Sequence, residues 1–135
     1  MKPILACVFS LFLASPALAA IDIQEVDTPG GFKAWLVEEP SIPFTALEIR
    51  FEGGSALDAP DKRGATNLMV GLREEGAGEN DAGAFAEAAE TLAADFSYDA
   101  SQDTVSISAR FLSENRDEAM ALLRDSLIDP RFDQE

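Results

Sequence analysis

The sequence contains no histidine, and its single cysteine, Cys7, lies in an apolar run near the amino terminus. Without histidine, the chain has no histidine general base, no Ser-His-Asp triad and no zinc site of the HExxH or HxxEH type. The residues after the apolar run hold no thiol, so they form no disulfide and offer no thiolate to a metal. Phosphate-binding patterns of the GxxxxGK[ST] and GxGxxG types are missing as well.

Basic residues are scarce. The chain has 10 Lys plus Arg against 25 Asp plus Glu, a formal net charge of −15. Phosphates repel such a surface, which argues against partners made of nucleic acid or anionic membrane. The charge is explained by an acidic surface that keeps the protein soluble, and the alternative is a dedicated site for basic ligands.

Only one long apolar run is present, and it has the organisation of a secretory signal peptide. Lys2 supplies a positive start, residues 4–14 are apolar, and small residues surround Ala19. The run is too short to span a bilayer. We predict a signal peptide over residues 1–19, cleavage between Ala19 and Ala20, and a periplasmic or secreted protein of residues 20–135. A buried amino-terminal helix is the alternative.

In the remaining residues, the spacing of apolar side chains changes from a period of two residues to a period of 3.6 residues and back. Alternating apolar and polar residues predict strands, and apolar residues at i, i+3, i+4 and i+7 predict helices. The order βββ-αα-ββ-α predicts an α+β fold, a mostly antiparallel sheet with helices packed on one face. The predicted strands are 21–26, 32–37, 45–52, 96–100 and 104–112, and the predicted helices are 65–75, 81–94 and 114–128.

Each predicted helix has an apolar stripe that we expect to face the core. Asn80 or Asp81 can cap the second helix. The stripes consist of Ala65, Leu68, Met69 and Leu72 in the first helix, Phe85, Ala89, Leu92, Ala93 and Phe96 in and after the second, and Met120, Leu123 and Leu127 in the third.

Carboxylates recur in two places, where they could perform acid–base chemistry or hold a hard cation. In a chain this acidic, neighbouring carboxylates are expected by chance, and no EF-hand spacing occurs. We therefore predict no metal and no cofactor. The two groups are Glu74, Glu75 and Glu79, and Asp95, Asp99 and Asp103.

Several short sequence motifs, and the order in which they follow one another, resemble the N-terminal domain of the M16 (insulinase or pitrilysin) peptidase family. A strand ends in the turn Gly53-Gly54-Ser55, the acidic loop "ALDAPDKR" follows, and Gly64 opens a helix. A second helix, a hairpin and a third helix lead to "DPRF" at residues 129–132. The resemblance covers residues 21–135 and implies that the chain is the amino-terminal part of a longer protein.

In that family the helix after the glycine carries the zinc motif His-x-x-Glu-His. The resemblance places Asn67 and Gly71 at the two histidines and Val70 at the catalytic glutamate. An amide is a poor zinc ligand, valine takes no proton from water, and glycine has no side chain. The family's third ligand, a later glutamate, would lie beyond Glu135. The resemblance therefore implies a degenerate zinc site.

Many M16 members work in pairs, in which one subunit carries zinc and a degenerate partner helps to enclose the substrate. The resemblance implies that this chain is a non-catalytic subunit or domain of an exported zinc metallopeptidase, partnered by an active HxxEH-bearing subunit. A peptide substrate would pair with a candidate edge strand formed by Phe96, Ser97, Tyr98 and Asp99. The alternatives are an ordinary hairpin there, a stand-alone acidic periplasmic binding or scaffold domain, and an enzyme with an unusual site.

Overall fold

A computed structural model describes residues 21–132, which form two compact units divided after Pro40. The first unit contains an antiparallel hairpin of β1 (Gln24–Asp27) and β2 (Lys33–Leu36). In the turn between these strands, the N–H of Gly31 donates to the carbonyl of Thr28 at 2.9 Å. The predicted signal peptide lies outside the described residues.

The second unit contains a three-stranded antiparallel sheet and three helices within residues 41–132. Its strands lie in the order Phe44–Glu52, Thr104–Leu112, Asp95–Ala100, and the predicted α+β class is confirmed. In chain order the elements are β3 (Phe44–Glu52), α1 (Ala65–Gly71), β4 (Gly76–Ala77), β5 (Asn80–Asp81), α2 (Ala82–Thr91), β6 (Asp95–Ala100), β7 (Thr104–Leu112) and α3 (Arg116–Ile128).

The alternation of the three long strands gives the sheet one apolar and one polar face. Ile107 of β7 lies between Ile49 of β3 and Tyr98 of β6. On the other face Ser108 lies between Glu48 and Ser97. The apolar face packs under α3 in a buried cluster that consists of Ile107, Ala109, Phe111, Ala119 and Leu123.

A smaller cluster of Ala77, Phe85 and Leu122 joins α2 to α3. The predicted cap of α2 is confirmed, because the Asp81 carboxylate accepts a hydrogen bond from the N–H of Ala84 at 2.8 Å. Within residues 21–132, no helix combines the length and the apolar character needed to cross a membrane.

Three expectations about these elements were wrong. The first helix ends at Gly71, and the short hairpin β4–β5 follows it. Ala93 is exposed with φ 49°, because it ends α2 in the left-handed region and does not continue the stripe. Met120 is 38% exposed, whereas its neighbour Ala119 is buried, so the inward face of α3 is rotated by about one residue.

Candidate functional site

The loop before α1 fixes where this helix begins. Gly64 has φ 95°, a conformation that suits glycine, and occupies the N-cap position. The Asp58 carboxylate accepts hydrogen bonds from the N–H of Gly64 at 2.7 Å, from the N–H of Thr66 at 3.2 Å and from the Thr66 hydroxyl. These bonds, the hydroxyl's above all, lower the pKa of Asp58. An acid six residues upstream thus caps the helix in place of its own N-cap side chain.

The three positions that the resemblance assigns to the zinc motif differ in their exposure. Asn67 and Gly71 are exposed, and a β-carbon built on Gly71 meets no atom within 4 Å. Val70 is half-buried. The geometry therefore leaves room at Gly71 and directs Val70 toward the sheet, while the assignment of these positions to the motif stays a prediction.

The predicted apolar stripe of this helix was wrong for Ala65 and Leu68, which are exposed, whereas Leu72 just after the helix is half-buried. Leu68 is 64% exposed and Met69 is 36% exposed, and α1 contains no buried residue. The half-buried positions are Thr66 and Val70, which are four residues apart and share one face. Two sets of contacts determine which face of α1 is turned inward. Asp58 contacts the start of the helix, and the segment after the helix contacts α3.

A groove of about 300 Å³ lies between α1, the sheet and α3. Val70 and Tyr98 face it from two sides, and most of its other walls are aliphatic or aromatic. Its character is therefore mainly apolar. The lining residues are Phe51, Met69, Val70, Arg73, Tyr98, Val105, Ile107 and Leu127.

Two side chains, Tyr98 and Arg73, hold the groove's walls together through hydrogen bonds to α3. The buried Ser126 hydroxyl donates to the carbonyl of Leu123 at 2.7 Å, so the Tyr98 hydroxyl is the donor in its own bond to Ser126. Arg73 donates to the carbonyls of Ser126 at 3.0 Å and Leu127 at 3.1 Å. A guanidinium there satisfies unpaired carbonyls of the last turn of α3 and complements its dipole. Burial raises the pKa of Tyr98.

The predicted edge strand is the outer strand β6 of the sheet as described over residues 21–132. The N–H of Ser101 donates to the carbonyl of Thr104 at 2.8 Å, which sets the phase of the β6–β7 ladder. Hydrogen-bonded pairs alternate along an antiparallel ladder, so Asp99, Ser97 and Asp95 bond to β7. The N–H and C=O groups of residues 96, 98 and 100 therefore point toward the open side. Whether a substrate pairs there stays a prediction.

The polar face of the sheet carries charges beside this edge. Asp95 lies opposite Arg110 of β7, and Asp99 lies opposite Ser106. Farther in, hydrogen bonds from the Ser108 hydroxyl and then from Arg50 lower the pKa of Glu48. The strand thus presents two exposed carboxylates, of which only Asp95 has a cation across the ladder.

The two carboxylate groups noted in the sequence do not assemble into a metal site. Within residues 21–132, no three His, Cys, Asp or Glu side chains come close enough to hold a metal ion. Sequence reasoning also missed the residues that build the site, namely Asp58, Arg73 and Ser126. The acidic loop was a signal for Asp58, but nothing local to Arg73 or Ser126 identifies their partners.

The insulinase (peptidase family M16) sequence profile matches residues 33–135. The chain belongs to this family. The non-peptidase homolog YmxG of Helicobacter pylori (strain ATCC 700392 / 26695) is 29% identical over 122 residues, which are 90% of this chain and 27% of that protein. The resemblance to an M16 domain of the non-catalytic type is confirmed by this match together with a structural relative.

That structural relative is the crystal structure of a peptidase M16 inactive domain from Pseudomonas fluorescens. It has a TM-score of 0.76 and 31% identity, and the match covers 84% of this chain and 28% of that one. Pitrilysin shares the fold, with a TM-score of 0.71 and 15% identity over 87% of this chain and 13% of its own. This M16 chain spans about a quarter of the length of the Helicobacter pylori and Pseudomonas fluorescens relatives.

Proposed function

We propose that the protein is a non-catalytic M16 subunit or domain of an exported zinc metallopeptidase that helps to form the substrate chamber. The observation that carries this proposal is the chemistry of α1 at the motif positions. Asn67 and Gly71 face solvent without a zinc-binding nitrogen, and Val70 faces an apolar groove without a base. The helix that would perform hydrolysis in an active member has, in this chain, no zinc-binding or catalytic side chain at those positions. It can therefore line a chamber but cannot hydrolyse a peptide.

Two relatives support the absence of catalysis. The Helicobacter pylori protein is described as a non-peptidase homolog, and the Pseudomonas fluorescens structure as an inactive domain. An inactive chain contributes to proteolysis through a partner, so we place an active HxxEH-bearing M16 subunit beside it. The signal-like residues 1–19 support export to the periplasm or the exterior.

A chamber wall must also hold the peptide, and β6 offers the means. Its outward N–H and C=O groups at residues 96, 98 and 100 can pair with an extended chain in the manner of β-augmentation. Main-chain hydrogen bonds give such pairing affinity without requiring any catalytic side chain at the edge. This role depends on the backbone of β6 and does not require particular side chains at Asn67, Val70 and Gly71 of α1.

Zinc content and peptide hydrolysis test this proposal. The exported protein alone should contain no stoichiometric zinc by elemental analysis and should cleave no peptide. Hydrolysis should appear when the HxxEH-bearing subunit from the same cells is added. The matched control replaces the glutamate of the partner's motif by glutamine, which should abolish the activity of the mixture. One zinc per chain, or chelator-sensitive cleavage by this protein alone, would overturn the proposal.

A second candidate is a stand-alone acidic periplasmic binding or scaffold domain, favoured by the net charge of −15. It differs from the first in having no peptidase partner. Affinity purification of the exported protein under native conditions distinguishes the two. Recovery of an HxxEH-bearing subunit supports the chamber, whereas recovery of the protein without any M16 subunit supports the stand-alone domain.

A further inference from the structure

We infer that the open edge of β6 selects an extended peptide with basic side chains on one face and apolar side chains on the other. The selectivity rests on the proposed peptide-holding role and adds a residue pattern to it. The pattern follows from the ladder phase, from the alternation of side chains along β6 and from the charges on that strand.

The ladder phase fixes which peptide residues bond to β6. A peptide residue directly opposite Tyr98, called position 0, exchanges both backbone hydrogen bonds with Tyr98, because that residue's N–H and C=O face outward. An antiparallel peptide fits best, since antiparallel pairing is the more stable per residue and continues the sheet. Position −1 then lies opposite Asp99 and position +3 opposite Asp95.

The alternation of side chains assigns each position to a face. Positions −1, +1 and +3 share the polar face with Asp99, Ser97 and Asp95, whereas positions 0 and +2 share the helix face with Tyr98 and Phe96. Directly opposite side chains in a pair are close enough to interact. Apolar residues therefore match positions 0 and +2, where two aromatic side chains lie across the ladder.

The charges on β6 determine which peptide side chains fit its polar face. Asp95 and Asp99 are both exposed, and the chain's net charge is −15. A second copy pairing through the same edge would bring these carboxylates together, and like charges directly opposite are destabilising. Lysine or arginine at positions −1 and +3 complements them. Asp99 should count more than Asp95, because Arg110 already lies opposite Asp95 in β7.

The residues of α1 also favour apolar peptide side chains on the helix face of the sheet. The contacts of α1 with the sheet are mainly to β6. On this helix Val70, half-buried beside Tyr98 in the apolar groove, stands at the position that matches the family's glutamate. Valine removes a charge that would disfavour an apolar peptide residue. The expected occupant is thus basic-apolar-polar-apolar-basic over positions −1 to +3.

Fluorescence anisotropy of labelled peptides with the exported protein at low salt tests this pattern. The probe carries Lys-Val-Ser-Val-Lys between neutral flanks. The matched control Lys-Lys-Ser-Val-Val has the same composition but places one lysine on each face in every register. We expect the probe to bind several-fold more tightly. Asp99→Asn should weaken the probe about two- to fivefold, the range for exposed ion pairs. Glu87→Gln, an exposed acid on α2, should leave binding unchanged.

N-methylation separates edge pairing from the side-chain pattern. A methyl on the amide of position 0 removes a bond to β6, whereas one on position +1 faces away from it. Binding lost with the first and kept with the second supports pairing at the edge. If that alternation holds but the two lysine peptides bind alike, the residue pattern is overturned and the peptide-holding role survives. If neither peptide binds, or if the methyl positions have equal effects, the peptide-holding role itself is overturned.

Discussion

Replacing Gly54 by alanine should strongly destabilise the unit that contains the candidate site. A β-carbon at this position would lie 2.2 Å from the carbonyl oxygen of Ser101 and 2.9 Å from the backbone nitrogen of Thr104. Both neighbours are backbone atoms, so no side-chain rotation relieves the overlap. The turn after β3 must therefore move away from the turn that joins β6 to β7.

The magnitude follows from the hydrogen bonds that this movement breaks. The N–H groups of residues 53, 55 and 56 donate across the contact at 2.7, 2.9 and 2.9 Å. At a net 0.5–1.5 kcal/mol each, losing two or three of them costs about 1–4.5 kcal/mol. A second estimate comes from overpacking, because forcing a methyl group into a packed site costs about 1–3 kcal/mol. We expect a loss of about 2–4 kcal/mol in the free energy of unfolding.

Gly71→Ala is the matched control, with the opposite sign expected. Its β-carbon meets nothing within 4 Å, and the residue is exposed at the end of α1. Glycine to alanine in a helix restricts the unfolded chain and should stabilise by about 0.5–1 kcal/mol. The same substitution, at two glycines of one protein, thus separates close backbone approach from helix propensity.

Urea denaturation followed by circular dichroism at 222 nm measures both effects. A shift of the midpoint at an unchanged slope reports a change in stability. The reasoning fails if Gly54→Ala lies within about 0.5 kcal/mol of the wild type, the range of ordinary surface substitutions. It also fails if Gly71→Ala is the more destabilising of the two, because the helix would then be covered at the position that the structure leaves open.

Three further outcomes are expected. Asp58→Asn should lower the urea midpoint at neutral pH. Because the folded state lowers the pKa of Asp58, its contribution is present above the unfolded pKa and is lost as pH falls through the folded one. The two midpoints should therefore converge as the pH falls through the lowered pKa of the folded carboxyl, and a constant gap would contradict this. Asn67→His, Val70→Glu and Gly71→His combined, in residues 20–135, should bind zinc weakly in calorimetry and hydrolyse no peptide, since the rebuilt motif supplies only two zinc-binding histidines. Chelator-sensitive cleavage would count against this. Intact mass of the exported protein should show cleavage after residue 19, and a mass that includes residues 1–19 would disprove the signal peptide.

The sequence by itself determined the features that depend on neighbours along the chain. Strand periodicity reports which residues face a core, so β3 was located to within one residue and β7 over its full length. The cap of α2 was predicted for the same reason, because Asp81 bonds to an N–H three residues away. The lack of histidine is a fact of composition and needs no structure at all.

The tertiary structure alone decided how α1 is rotated and what its groove contains. This helix has seven residues, and its own packing is too small to impose the face that its apolar residues predict. Asp58 holds its start, and Arg73 ties the segment after it to carbonyls more than 50 residues away. Those distant bonds expose Leu68 and turn Val70 toward the sheet. Local periodicity cannot report a rotation that is fixed by partners so far along the chain.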